Sequence, residues 1–101
     1  MTFEKQNEIM GITNDACYLL GMHIETNFKN IVAETEQGED YITEAAIITF
    51  PRTNRASRNQ AIQDYFIEKM GNCDLQMEFC KLEKHCFNNQ IYYDLCFEEV
   101  I

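Results

Sequence analysis

The chain has one proline and four glycines in 101 residues, and no tryptophan. With so few residues that break or loosen backbone, there is no place for a flexible linker or a low-complexity tract, and no internal repeat is visible. No apolar run comes near the roughly 18 residues that span a membrane. The segment from Met1 to Met10 lacks the charged-then-apolar layout of an export signal. These absences lead us to expect one domain over 1–101 and a cytoplasmic setting, the host cytoplasm if the gene is a phage's. Positive charge is scarce as well: 8 Lys and Arg stand against 17 Asp and Glu, a formal net charge of −9. So acidic a chain repels nucleic acid directly, and any macromolecule it holds electrostatically presents a basic surface.

What is present suffices for a core. Hydrophobic residues make up 46%, which argues against disorder, and the length supports one core without staples. Cys17, Cys73, Cys80, Cys86 and Cys96 are an odd number with no export signal, so they read as reduced thiols, mostly small buried hydrophobes. Zinc sites use tight cysteine pairs. The gaps among Cys80, His85, Cys86 and Cys96, with Cys73 upstream, are wide. A hairpin turning at Asn88 and Asn89 points Cys86 inward and His85 and Cys96 outward, so the set diverges. His23 stands alone and reads as a strand surface residue. No calcium-loop pattern of alternating acids closed by glycine occurs. No metal, cofactor or catalytic set is expected.

The clearest element lies between Pro51 and Asn72. Ser57 and Gln60 have capping-box spacing. Ile62, Tyr65, Phe66 and Met70 then recur at helical spacing, Gly71 offers a left-handed stop, and Pro51 ends the strand before it. Thr2 to Leu20 reads as helix, in two pieces if Gly11 interrupts it, with Gly21 as the stop. Met22 to Thr35 is open between strand and helix; the alternation of Met22, Ile24, Thr26 and Phe28 favours strand, with a phase slip near Asn30. Glu36 to Glu39 is a turn, and Tyr41 to Phe50 a strand rich in Ile and Thr. Leu75, Met77 and Phe79 alternate in one phase and Leu82, Lys84 and Cys86 in the other. A bulge at Cys80 and Lys81 reconciles them; a loop from Lys81 to Gln90 is the other option. Ile91, Tyr93, Leu95 and Phe97 alternate with Tyr92, Asp94, Cys96 and Glu98, a strand with one face buried and one wet. The expectation is an α+β fold, order α-β-β-α-β-β, with two helices packed on one face of a mainly antiparallel sheet.

Residues Tyr18, Leu19, Leu20 and Gly21, followed by Met22, His23, Ile24, Glu25, Thr26, Asn27 and Phe28, resemble the helix-ending motif of the LAGLIDADG homing endonucleases. The repeat unit of that family also runs helix, two strands, helix, two strands, then a further helix. Its metal-binding acid falls at Thr26 here and the glycine after it at Asn27. Its basic DNA-binding face has no counterpart in a net charge of −9, and the last helix has no room. The resemblance implies an element order, and no catalytic residue is carried over.

Two stretches carry charge worth following. Glu34, Glu36, Glu39, Asp40 and Glu44 form an acidic segment, with Glu25 upstream. On a strand, Glu34 and Glu36 share a face roughly 6.6–6.8 Å apart, a row of charges that can stand in for a nucleic-acid backbone. Arg52, Arg55 and Arg58 precede the second helix, whose free N–H groups favour an anion. The composition therefore favours a small acidic non-enzymatic binding protein that blocks a basic nucleic-acid-binding surface on a protein partner. By class analogy that is a phage or mobile-element inhibitor of host defence, anti-CRISPR-like. The alternatives are a nucleotide- or phosphate-binding protein using the arginine loop, and an oligomeric or antitoxin-type module, a homodimer included, joined through an edge strand. Tyr41, Phe87 and Tyr92, expected at strand ends or on the outer face, would suit a protein interface.

Overall fold

The computed structural model describes residues 1–72 and 74–99; Cys73, named above with the other cysteines, lies outside them. The order is α1 (Phe3–Leu20), β1 (Glu25–Glu34), β2 (Asp40–Pro51), α2 (Ala56–Met70), β3 (Met77–Phe87) and β4 (Gln90–Glu99). The four strands form one antiparallel sheet in the order β1-β2-β4-β3, so this is the α+β fold that the periodicities imply. Among the described residues, no helix is long and apolar enough to cross a membrane.

α1 is one helix. The Thr2 hydroxyl accepts from the Lys5 N–H at 3.1 Å, and Gly21, at φ 62, ends the helix in the left-handed conformation. Gly11 does not break it, because its two neighbouring turns are pinned. Ile9 and Ala16 are buried, and Thr13 between them donates to the Ile9 carbonyl and contacts the Thr26 hydroxyl on β1. The roughly 1 kcal/mol cost of a helical glycine is small beside that burial.

α2 begins differently from the capping-box expectation. It starts at Ala56, one residue before Ser57, and its N-cap Arg55 makes no side-chain cap bond. The closure comes from Asn59, whose side-chain oxygen accepts from the Thr53 N–H at 2.9 Å and the Thr53 hydroxyl at 2.8 Å, while its amide donates to the Thr53 carbonyl at 3.1 Å. Gln60 turns outward to Asp64. Gly71 is not left-handed either, at φ −87. A Cβ there would lie 3.0 Å from the Ile67 carbonyl oxygen, so glycine serves closeness rather than handedness.

Both helices cover one face of the sheet. Ile9, Ala16, Ile62, Phe66 and Met70 pack on Ala46, Ile48, Phe50, Leu95 and Phe97. The bulge falls where the two phases collide: Phe79 opposes Phe97, Lys81 opposes Cys96, and Cys80 is the extra residue. β3 then continues to Phe87, so residues from Lys81 onward are strand and not loop. The expected slip near Asn30 is absent from the backbone, since β1 and β2 pair without a break from Glu25 with Thr49 to Glu34 with Asp40. Burial changes sides instead. Thr26 and Phe28 are half-buried under the helices, whereas Ile31 packs on the opposite, open face against Ala45, Ile47 and Cys96. For the same reason the outer side of β4 is not uniformly wet: Cys96 is buried there.

Candidate functional site

The acidic segment is a projecting ribbon. β2 pairs with β4 only from Ala45 to Pro51, so Asn30–Glu34 and Asp40–Glu44 pair with each other alone. Gly38, at φ 81, and the Thr35 N–H bonded to the Glu39 carbonyl at 2.8 Å close the tip. β1 stops at Glu34, which leaves Glu36 in the turn rather than on a strand face with it. Glu34, Glu36, Glu39 and Asp40 are exposed, and among the described residues none of the four joins an ion pair. Val32 and Ile42 oppose each other two residues nearer the base than the Glu34–Asp40 pair, 70% and 75% exposed. Glu44 is different. Its carboxylate lies 3.4 Å from the Met1 amino group and accepts from the Gln6 amide at 3.1 Å, so it ties the ribbon's base to α1.

The arginine loop does not converge. The Arg58 guanidinium donates to the Leu20 carbonyl at 2.9 Å, serving the end of α1, whose last turn has no basic residue. Arg52 and Arg55 remain exposed. The backbone N–H of Arg52 bonds the Ile91 carbonyl.

A third arrangement was not evident from the sequence. The chain's two histidines, 62 positions apart, line one cavity of about 200 Å³ on the open face, with Glu25, Thr49, Phe87 and Tyr92. The Asn88–Asn89 turn, at φ 50 and 64, sets His85 opposite Tyr92 and Glu83 opposite Asp94. His85 stacks on Tyr92 with centroids 5.3 Å apart. His85 Nδ1 lies 2.6 Å from the Asp94 carboxylate, whose other oxygen accepts from the Thr49 hydroxyl, also at 2.6 Å. His23 Nε2 lies 2.9 Å from Glu25 Oε1. The pairing of His85 with Tyr92 and Asp94 follows from a two-residue turn and is legible in the sequence. The approach of His23 is not, because it needs β2 and β4 to be neighbours.

Of the four described cysteines, Cys80 and Cys86 are exposed and only Cys96 is buried, which corrects the reading of mostly buried thiols. The Cys80 thiol donates to the Cys96 carbonyl at 3.1 Å. Although the residue as a whole is exposed, its thiol sits in a part-buried contact, and that desolvation first, then the hydrogen bond with and the charge of Cys96, push it up to about 12. Nearby, the Lys81–Glu83 pair at 2.8 Å raises the lysine and lowers the carboxyl through their shared hydrogen bond. Among the described residues no three His, Cys, Asp or Glu side chains are grouped to hold a metal ion. Comparison with protein families, curated proteins and solved structures finds no match.

Proposed function

We propose that this chain is a small acidic binding protein without catalysis that covers a basic, nucleic-acid-handling surface on a protein partner. The observation that supports this is the ribbon's outer half: an exposed apolar pair, Val32 and Ile42, with Glu34, Glu36, Glu39 and Asp40 beyond it toward the tip, none of the four in an ion pair among the described residues. An exposed apolar patch bordered by charge suits a protein interface. Carboxylates held on a projecting hairpin steer the encounter with a basic surface and disfavour acidic ones. A phage or mobile-element inhibitor of host defence, in the manner of anti-CRISPR proteins, is the biological setting we propose. The test is capture of the partner from nuclease-treated host lysate on immobilised wild-type chain and on an E34Q/E36Q/E39Q/D40N variant. The expected result is a basic protein that salt releases, that nucleic acid displaces, and that the variant holds at least about tenfold more weakly, roughly 1.4 kcal/mol. Equal retention by the variant, or capture that salt does not weaken, would sink the reading.

A further inference from the structure

The cavity on the open face differs from the ribbon in place and in chemistry. Glu25 opens β1 and Glu34 ends it, a separation of roughly 30 Å along an extended strand. None of the six lining residues is Lys or Arg. The walls are flat: Phe87, 62% exposed as a residue, lines one side, and His85 and Tyr92 form a stacked pair. At about 200 Å³ the cavity falls below the roughly 300 Å³ at which pockets for drug-sized ligands begin, so it suits the end of one long side chain.

Its polar atoms are mostly acceptors. The Asp94 carboxylate accepts from His85 Nδ1, which leaves Nε2 outside that contact. The Thr49 proton is committed to Asp94, which leaves the hydroxyl oxygen able to accept. Glu25 uses Oε1 for His23 and keeps Oε2. A set of acceptors between aromatic faces, in a molecule of net charge −9, is complementary to a flat cation with many donors and no acceptor. Among side chains only arginine fits that description. It stacks on aromatic rings and binds carboxylate through its fork. Lysine is compact and strongly hydrated, and a nucleobase would need donors in return. The Thr49–Asp94–His85 chain holds the wall in place before binding, which lowers the ordering cost.

We propose that the cavity framed by His23, Glu25, Thr49, His85, Phe87 and Tyr92 receives an arginine side chain of the protein partner. This rests on the protein-partner reading above, but binding in the cavity does not use the ribbon's carboxylates. The probe is N-acetyl-arginine amide, titrated into the full chain while the ring signals of His23, His85, Phe87 and Tyr92 are followed by NMR. The expected result is a saturable shift confined to these rings, at least about fivefold weaker for N-acetyl-lysine amide. It is lost in E25Q, a rim substitution that leaves the fold intact, and in H85A. The E34Q/E36Q/E39Q/D40N variant keeps the response, so failure of the ribbon and failure of the cavity are separable. No saturable shift, an equal response to lysine, or tighter binding of adenosine monophosphate to the same rings would overturn the proposal.

Discussion

Asn88 and Asn89 stand at φ 50 and 64, where most L-residues are strained and asparagine is tolerated. Two such residues give the tight turn whose twist suits a hairpin. They set the register of β3 on β4, and with it the meeting of His85 with Tyr92 and Asp94. Asn89→Ala is expected to cost about 1 kcal/mol relative to Asn89→Gly, measured by urea unfolding, and to broaden the His85 ring signal; equal stability of the two variants would count against this turn. Cys80 makes a second prediction at this scale. Its thiol stands at about 12 in the fold against an ordinary 9.0, so the folded chain favours the protonated form. The resulting stability is whole below 9.0 and is lost as pH rises toward about 12. Stability should therefore fall less steeply with rising pH above 9.0 in Cys80→Ser than in wild type. At neutral pH the protonated Cys80 thiol should react with iodoacetamide more slowly than exposed Cys86.

At the scale of elements, much of the fold was legible because alternation and helical spacing report burial directly. The bulge at Cys80 follows from two alternating runs of opposite phase that must share one partner strand. The start of α2 was not legible, because the contact that closes it joins Asn59 to Thr53 and depends on the path of the loop between them. Thr53 and Asn59 bind each other through three hydrogen bonds, and this leaves Ser57 inside the helix rather than before it. Ser57→Ala is thus expected to change stability by less than roughly 0.5 kcal/mol, and Asn59→Ala to cost about 1 kcal/mol; the reverse order in chemical denaturation would restore the capping box. The slip at Asn30 was misplaced for a different reason. Periodicity senses which side is covered, and along β1 the cover passes from the helices to Ile31's own open-face cluster while the backbone register continues. The histidine cavity was legible only in part: the Asn88–Asn89 turn sets His85 against Tyr92, but the approach of His23 depends on strand order and not on any local pattern.

The charge of the whole molecule separates carboxylates that hold the fold from carboxylates that face outward. Self-repulsion in a chain of net charge −9 destabilises the compact state, and added salt relieves it. Glu44 offsets part of this by binding Met1 and Gln6, so Glu44→Gln should lower stability, by up to about 1 kcal/mol. Glu34, Glu36, Glu39 and Asp40 have no such partners among the described residues. Replacing all four by amides removes four negative charges and takes the formal charge from −9 to −5. The E34Q/E36Q/E39Q/D40N variant should therefore melt higher than wild type at low ionic strength, by up to roughly 4 °C, and its Tm should depend less on salt. The same variant is the one expected to lose the partner. Opposite signs for stability and binding are the mark of side chains kept for an encounter rather than for folding. A variant that melted lower would place the four carboxylates with Glu44, as part of what holds the ribbon, and would remove the physical ground for reading its tip as a contact surface.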